Sequence, residues 1–366
     1  MQHIVIVSNV PHHNSYIRVL IRVFSGCRIT LVLNPAIVSA YEDAIAEYRA
    51  VSVIPITGSR VFTRDLERIV DSADMAIFDE MFSLKELLAF ALRRIRPGFY
   101  LTVHNCNSWF FPRYSLSPKQ NMSSLLRTLV LRKMSSVIVV GSNIRDYLLE
   151  KRVQKRILYV PFDYPPESAR TNYSGDSGNR LRVVVPGTVS RRRDYEAVLD
   201  AFRICLCREA VSLVLLGAPG DVYGERILRE SRKMTEEGYD IRFFESFLPV
   251  ETFANEIAHA DVLLSAFDVR YRTLDKQFEV YGSTKETGVS FLALAHAKPA
   301  ILPSDYRPLC EITTQVIPYR DTPDIARIIE LLAHNPSLLD EYREHAVQNT
   351  LAANLEPIRR QFGLKS

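Results

Sequence analysis

Short apolar runs alternate with helix-length amphipathic segments along the whole chain. This alternation is typical of parallel β-sheets whose strands are joined by crossover helices. The runs predict seven strands in the first half and six in the second: His3–Ser8, Arg28–Leu33, Val51–Ile54, Met75–Phe78, Tyr100–Val103, Ser136–Val140, Ile157–Val160, Leu181–Val185, Ser212–Leu216, Ile241–Phe244, Val262–Ser265, Pro299–Leu302 and Val316–Ile317. The pattern therefore predicts an α/β fold with two Rossmann-like units in series.

A chain of 366 residues is longer than one hydrophobic core usually supports, which also indicates two domains. The stretch 162–180 contains two adjacent prolines and many Ser, Gly, Asp and Asn residues. Such a composition opposes both helix and strand. We predict an N-terminal domain over 1–165, a linker over 166–180 and a C-terminal domain over 181–340. The remaining 341–366 is predicted to be helical and can cross back to the N-terminal domain.

The composition is that of a globular protein, with 47% hydrophobic and 24% charged residues. No apolar window reaches the length of a membrane-spanning helix, and the chain starts with a predicted strand instead of a basic and apolar leader. The five cysteines show no Cys-x-x-Cys spacing, which favours free thiols. We expect a cytoplasmic protein without an export signal.

Positive charge is concentrated in one segment of the chain. The net charge is only +4, yet 91–156 contains thirteen Lys or Arg and two acidic residues. Such a block favours an anionic partner, and we predict contact with an anionic membrane surface, which would place the protein at the inner face of the plasma membrane. A solvated basic face without a partner is the alternative. Nucleic acid is disfavoured, because the aromatic residues lie in one loop instead of across a sheet.

The segment Pro186–Tyr195, with the sequence PGTVSRRRDY, follows a predicted buried strand. Gly187 allows the backbone to approach a ligand closely, and Arg191, Arg192 and Arg193 stand at the entry to a helix. Guanidinium groups bind phosphate through paired hydrogen bonds, so these residues predict a diphosphate site. An exposed basic turn is the alternative. Neither GxGxxG nor a P-loop motif is present in the chain.

A second candidate phosphate site lies in the segment Tyr281–Ser304. Its loop of small residues leads into an apolar helix predicted over Val289–Ala297. Such a helix start offers backbone N–H groups and the positive end of the helix dipole to an anion. A plain turn is the alternative for this loop taken alone.

Together the two segments resemble the donor-binding domain of GT-B glycosyltransferases, in particular family 4 (glycosyl transferases group 1). In that family a strand that ends in Gly is followed six residues later by a Lys or Arg that contacts the donor diphosphate, as Gly187 and Arg193 are here. Where the family has Arg directly after the Gly, this chain has Thr188. That contact is missing here or is supplied by Arg191 or Arg192.

The family also carries a Glu-x7-Glu pair, whose positions hold Thr284 and Leu292 in this chain, and a Gly-Lys-Pro turn that Ala297-Lys298-Pro299 resembles. The Ser/Thr-Lys-x-Ser/Thr-Gly version of divergent members fits the run from Thr284 to Gly288. The resemblance implies GT-B architecture, with two Rossmann-like domains facing a cleft. The site residues that it implies are Lys285, the backbone of Thr287, Gly288 and Val289, and Ser265 for the donor, with Glu286 as a catalytic group. Retention or inversion stays open.

Acceptor-side candidates come from the predicted N-terminal domain. His12, His13 and Asn14 form a polar loop before a helix predicted over Ile17–Phe24, and in GT-B enzymes this loop faces the cleft. His104 ends a strand at a position where family 4 enzymes often have a histidine, and a histidine there can orient or deprotonate an acceptor hydroxyl. Loop histidines without a role, and a histidine that caps a turn, are the alternatives.

The stretch 108–121 mixes aromatic and basic residues, with Trp109 and Arg113 as its main candidates. This mixture suits insertion at a membrane interface or capture of a lipid-phosphate acceptor. A partly packed loop is the alternative.

The predicted function is transfer of a sugar from a UDP-, GDP- or dTDP-sugar to a lipid-linked or saccharide acceptor in bacterial cell-surface polysaccharide biosynthesis. No Asp-x-Asp and no cluster of His, Cys and carboxylate residues with ligand spacing occurs, so we expect neither a metal nor another cofactor. Two alternatives stay open: a GT-B sugar-nucleotide epimerase, and a non-catalytic protein that only binds nucleotide sugar.

Overall fold

The computed structural model describes residues 1–8, 14–35, 38, 51–55, 64–80, 83–93, 98–112, 114, 116–162, 180–273, 277–352 and 355–364. The chain divides into two compact units. Unit 1 comprises Met1–Asp163, Arg270–Glu286 and Asn354–Ser366, and unit 2 comprises Tyr164–Val269 and Thr287–Ala353.

The strands, in chain order, are β1 (His3–Ser8), β2 (Arg28–Leu33), β3 (Val51–Pro55), β4 (Met75–Asp79), β5 (Phe99–Val103), β6 (Ser136–Val139), β7 (Ile157–Tyr159), β8 (Leu181–Pro186), β9 (Val211–Leu216), β10 (Ile241–Phe243), β11 (Val262–Leu264), β12 (Arg270–Arg272), β13 (Phe278–Val280), β14 (Ala300–Pro303) and β15 (Val316–Tyr319). The helices are α1 (Asn14–Val23), α2 (Arg64–Asp71), α3 (Leu84–Leu92), α4 (Cys106–Phe110), α5 (Pro118–Lys133), α6 (Ser142–Glu150), α7 (Tyr195–Ile204), α8 (Val222–Glu236), α9 (Val250–Ala258), α10 (Gly288–Ala295), α11 (Thr322–His334), α12 (Pro336–Ala352) and α13 (Leu355–Gln361).

Each unit is built on one parallel sheet. The sheet of unit 1 has seven strands in the order β3-β2-β1-β4-β5-β6-β7, and the sheet of unit 2 has six in the order β10-β9-β8-β11-β14-β15. The central strands are continuous runs of buried and mostly apolar residues, as expected for parallel strands covered on both faces. The strand order reverses between β1 and β4 in unit 1 and between β8 and β11 in unit 2. The predicted α/β fold with two Rossmann-like units is therefore confirmed.

All thirteen strands predicted from the sequence are present, with ends that differ by at most two residues. Helix α1 begins at Asn14, three residues before the predicted start at Ile17, so Asn14 belongs to a helix and not to the predicted loop. Among the described residues, no helix combines the length and the apolar character that crossing a bilayer requires.

The antiparallel pair β12–β13 belongs to unit 1, although the sequence places these residues within the C-terminal domain. The carboxylate of Glu279 accepts hydrogen bonds from the backbone N–H groups of Asn107 and Ser108, at 3.0 and 3.1 Å, and from the Ser108 hydroxyl. Asn107 Nδ2 also donates to the Phe278 carbonyl at 2.7 Å. These bonds at the start of α4 satisfy a buried carboxylate, which is why the hairpin stays with unit 1.

The C-terminal residues are divided between the units, because α12 lies in unit 2 and α13 in unit 1. In unit 1, Arg359 Nη1 donates to the carbonyl of Val23 at 2.9 Å, and the ring of Phe362 lies 5.0 Å from that of Phe24. These contacts hold α13 against the end of α1.

Ala297 has a positive φ of 51°, a conformation that costs an L-residue about 1–2 kcal/mol. It opens the turn after α10, in which Lys298 Nζ donates to the carbonyls of Ala258 and Ala260. We expect Ala297→Gly to raise the free energy of unfolding by about 0.5–1 kcal/mol, measured as a higher melting temperature.

Ala293→Gly is the matched control, because Ala293 lies inside α10 where glycine costs about 1 kcal/mol. The two variants should shift the melting temperature in opposite directions. A lower melting temperature for both would contradict the assignment of strain to Ala297.

Candidate functional site

Two loops of unit 2 follow the neighbouring strands between which the strand order of its sheet reverses. Strand β8 leads into Gly187, and β11 leads into Ser265. In open parallel sheets, ligands bind outside the carboxyl ends of the strands at such a point. The backbone N–H of Asp194 donates to the carbonyl of Ala266 at 2.8 Å, which ties the two loops together.

The Gly187 position requires glycine for two reasons. Its φ is +106°, and a Cβ atom there would lie only 3.0 Å from both terminal nitrogens of Arg193. The guanidinium group therefore lies directly against the glycine backbone. The hydroxyl of Tyr195 donates to the Gly187 carbonyl at 2.9 Å, and at Gly217 a Cβ would lie 2.3 Å from the same oxygen. The close fit holds Arg193 in a defined place.

Two polar atoms at this edge are buried without a hydrogen-bond partner among the described residues: Arg193 Nη1 and Ser265 Oγ. More than nine in ten buried polar groups in proteins are paired, and an unpaired one costs about 1–3 kcal/mol. Both atoms can donate to oxygen atoms. Two residues predicted to bind the donor thus lie in the loops that follow the two strands flanking the reversal, with the chemistry that recognition of phosphate or hydroxyl oxygens needs.

Thr188 and Arg191 lie in the same loop as Arg193. Thr188 is exposed, and the backbone N–H of Arg191 donates to Asp221 Oδ2 at 3.3 Å. The Arg191 guanidinium lies 6.0 Å from the centroid of the Tyr223 ring, at the start of α8. The loop therefore holds the Arg193 guanidinium against its glycine and the Arg191 guanidinium near the start of α8.

The other predicted donor residues of unit 2 surround the start of α10. Thr287 is the N-cap residue, but its side chain makes no capping hydrogen bond to the helix. Gly288 is exposed and Val289 is fully buried. The positive end of the helix dipole lies at these residues. Their contact with a phosphate stays a prediction.

In unit 1, the reversal point brings three side chains from three neighbouring strands together. The Ser8 hydroxyl donates to Asp79 Oδ2 at 2.8 Å, and His104 Nε2 lies 3.2 Å from Asp79 Oδ1. All three residues are buried. The rings of His104 and Tyr16 are nearly perpendicular, with their centroids 6.1 Å apart.

The contact with Asp79 influences the tautomer of His104. An ionised carboxylate can only accept hydrogen bonds, so an ionised Asp79 favours the tautomer of a neutral His104 that has its proton on Nε2. An imidazole oriented in this way by a carboxylate is the arrangement of a general base.

Glu80 is a second acidic group at the same edge, and it adopts a positive φ of 56°. Burial and the neighbouring Asp79 raise the pKa of Glu80 to about 8, although Lys285 and Asn105 act in the opposite direction. Asn105 connects Glu80 to Lys285. Its Nδ2 donates to Glu80 at 3.2 Å, and its Oδ1 accepts from Lys285 Nζ at 2.8 Å. Strained backbone and a pKa near neutrality are both typical of functional sites.

The raised pKa of Glu80 gives a stability test. The folded state binds more protons than the unfolded state between pH 4.5 and about 8, so the contribution of Glu80 to stability is lost as the pH rises through this window. Glu80→Gln carries no charge to bury. We expect its melting temperature, relative to wild type, to increase steadily from pH 5 to about pH 8.

The control is Glu236→Gln, which makes the same change at an exposed residue of α8. A difference between Glu80→Gln and wild type that stays constant across this pH range would contradict a raised pKa for Glu80.

Lys285 and Glu286 lie in unit 1, which corrects their assignment to the C-terminal domain. Glu286 is buried and its Oε2 accepts a hydrogen bond from Asn143 Nδ2 at 2.7 Å. The backbone N–H of Cys106 donates to the Thr284 carbonyl at 2.8 Å, which fixes this loop on the end of β5. The sequence suggested the C-terminal domain for Lys285 and Glu286 because their loop directly precedes α10, which belongs to unit 2.

The predicted aromatic loop is only partly exposed. Trp109 is 3% exposed and lies in the core of unit 1, with the Arg127 guanidinium 5.9 Å from its ring. The acceptor-side role of Trp109 is corrected accordingly, since residues 106–110 form α4 and turn the indole inward. Phe111 and Tyr114 are the exposed aromatic residues there.

The structure does not describe the side chains of four acceptor-side candidates. His12, His13 and Arg113 lie outside the described residues, as does the side chain of Asn14. The sequence marked Asp79 and Glu80 only as an acidic pair after the fourth predicted strand, without a role. It gave no role to Asn105 or Asn143.

Unit 1 also contains a pocket of about 660 Å³ among α4, α6 and the β12–β13 hairpin. This volume is within the range of small-ligand sites, roughly 300–1,000 Å³. Its walls combine aromatic rings, two cations, a carboxylate and two amides: Phe111, Tyr147, Phe278, Lys151, Arg270, Glu279, Asn107 and Gln277. Across the described part of the chain, no three His, Cys, Asp or Glu side chains converge as a metal site would need.

No family model and no curated protein matches this chain. Solved structures match it over 99% of its length. The HepE protein of Anabaena in complex with UDP has a TM-score of 0.65 at 14% identity, with 98% of that chain covered. A glycosyltransferase from Rickettsia africae has a TM-score of 0.65 at 11% identity, with 98% covered. Sucrose-phosphate synthase from Thermosynechococcus elongatus has a TM-score of 0.62 at 15% identity, with 98% covered.

These similarities are too distant in sequence to carry a function, but they agree on the architecture. The chain has the GT-B fold of the glycosyltransferases that it matches.

Proposed function

We propose that this protein is a glycosyltransferase that uses a nucleotide-sugar donor. The observation that carries the proposal is the pair of buried, unpartnered polar atoms, Arg193 Nη1 and Ser265 Oγ, at the reversal point of the unit 2 sheet. The GT-B fold supports it, as do the structures of HepE with UDP and with UDP-glucose. The resemblance of Gly187 and Arg193 to the family 4 donor motif points to the same chemistry.

In this proposal, unit 2 binds a UDP-, GDP- or dTDP-sugar. Arg193 forms paired hydrogen bonds to the diphosphate, while Arg191 and the start of α10 add positive potential. Lys285, which lies in unit 1, is a further donor-binding residue that the family resemblance implies. Fixed cations and a helix dipole can stabilise a leaving diphosphate without a divalent metal, so we propose metal-independent transfer with no cofactor.

The groups for the chemical step come from unit 1. The bond between the anomeric carbon and the diphosphate oxygen breaks, and the anomeric carbon bonds to the acceptor oxygen. His104 Nδ1 takes the acceptor hydroxyl proton, and the nucleoside diphosphate leaves with the electron pair. Asp79 orients the imidazole, and Glu286 is the second proposed catalytic group.

The proposed acceptor is a lipid-linked or free saccharide in bacterial cell-surface polysaccharide biosynthesis. The pocket beside α4 suits such a molecule, because aromatic rings stack on sugar faces and Lys151 and Arg270 can bind a phosphate. We also propose a cytoplasmic protein that contacts an anionic membrane surface through its basic 91–156 segment.

The test is release of nucleoside diphosphate from a panel of nucleotide sugars, with and without lipid-linked and free saccharide acceptors. Release that depends on an acceptor, with a new glycoside formed, supports the transferase. Conversion of the donor to another sugar nucleotide without an acceptor would indicate an epimerase. Donor binding with no turnover across the acceptor panel would indicate a non-catalytic protein.

A further inference from the structure

Two neighbouring helices of unit 1 present stripes of exposed aliphatic side chains. On α3 the stripe has a spacing of four residues, and on α5 it has spacings of three and four. The six side chains are between 37% and 78% exposed: Leu84, Leu88, Leu92, Met122, Leu125 and Leu129. We call this surface the α3/α5 face. Single exposed leucines are common, but two stripes on adjacent helices form a patch of the kind that marks an interaction site.

The face is not the core side of these helices. Leu87 and Phe90 of α3 and Leu126 and Val130 of α5 are buried on the opposite side. Each helix is therefore apolar on two sides. Lys133 Nζ donates to the Ala91 and Arg93 carbonyls at the end of α3, which ties the C-terminal ends of the two helices together.

Both helices of the face also carry exposed basic residues. Lys85 on α3 and Lys119, Arg132 and Lys133 on α5 are all exposed. The sequence of α5 contains no acidic residue, and Glu86 of α3 is engaged in the capping box with Ser83. An apolar stripe with a basic margin is the pattern of helices that lie in the interface of an anionic bilayer.

We infer that the α3/α5 face docks on an anionic phospholipid bilayer. The inference rests on the membrane contact proposed above and names the surface that makes this contact. It adds the apolar stripe of α3, most of which lies outside the basic 91–156 segment. A second copy of the chain fits the face less well, because a twofold interface would bring the same cations against each other. The anionic lipid complements these cations, and its acyl chains accept the leucines.

The experiment is flotation of the full chain with vesicles. Wild type should float with vesicles of phosphatidylglycerol and phosphatidylcholine in equal parts, and bind vesicles of phosphatidylcholine alone at least about tenfold more weakly. The double variant Leu88→Glu with Leu125→Glu should bind the anionic vesicles at least about tenfold more weakly than wild type. The control is Leu206→Glu with Val250→Glu, which makes the same change at exposed apolar residues of unit 2 and should bind like wild type.

Two results would overturn the inference: no flotation of wild type, or flotation of the Leu88/Leu125 variant equal to wild type. If wild type does not float but forms a dimer that this variant dissociates, the face belongs to a second copy. Should the glutamate variant not fold, as judged by its melting curve, Leu88→Ser with Leu125→Ser gives the same comparison. The flotation experiment contains no nucleotide. Failure to bind vesicles can therefore be distinguished from failure to bind a nucleotide sugar.

Discussion

His104→Gln should lower kcat for glycosyl transfer by about 10²- to 10⁴-fold, the usual contribution of a general base, while the KM for the donor changes little. Glutamine retains a hydrogen-bonding group near Asp79 but cannot accept a proton. The comparison is made from initial rates of nucleoside diphosphate release with a saturating acceptor. The melting temperature with and without the donor shows whether the variant still folds and binds it.

Asp79→Asn separates positioning from chemistry. An amide can donate a hydrogen bond to His104 and so favour the other tautomer, which should lower kcat without removing the imidazole. His334→Gln is the matched control, since His334 is exposed on α11 and contacts its own helix backbone. A wild-type kcat for His104→Gln would contradict the assignment of the base.

Arg193→Ala should weaken binding of the nucleotide sugar by about 10- to 100-fold, because a charge-assisted hydrogen bond contributes about 1.5–3 kcal/mol. The effect should appear in the dissociation constant measured by calorimetry. Arg193→Lys should be intermediate, since lysine keeps the charge and loses the planar pair of donors.

Arg229→Ala removes the same charge at an exposed residue of α8 and serves as control. If Arg193→Ala and Arg229→Ala bind the donor equally well, Arg193 does not contact the diphosphate. Equal weakening by both would indicate only the loss of a long-range charge effect.

The strands could be predicted because a buried parallel strand is a continuous apolar run, a signal contained within each segment. The β12–β13 hairpin could not. Its strands have three residues each, and they include arginine and tyrosine without a clear alternation. Its position depends on Glu279 bonding to Asn107, a contact between residues 172 positions apart. No local pattern carries that information.

The candidate site was predictable in part for the same reason. Gly187 and His104 were indicated because each follows a predicted strand, and parallel strands present their carboxyl ends at one edge, whereas Ser265 came from the family resemblance. Nothing in the sequence indicated that Asp79 would bind both Ser8 and His104, since that depends on strand order. Trp109 was misplaced because the sequence of an aromatic run does not show whether it forms an exposed loop or a helix that buries one of its rings in the core.

The central claim is that unit 2 holds a nucleotide-sugar donor through Arg193, and the most direct test is the melting temperature of the full chain with UDP-, GDP-, dTDP- and CMP-sugars. We expect at least one of them to raise the melting temperature of the wild type and to have much less effect on Arg193→Ala, because a ligand stabilises the state that binds it. The claim would be contradicted if none of them shifted the wild type, or if Arg193→Ala responded as the wild type does.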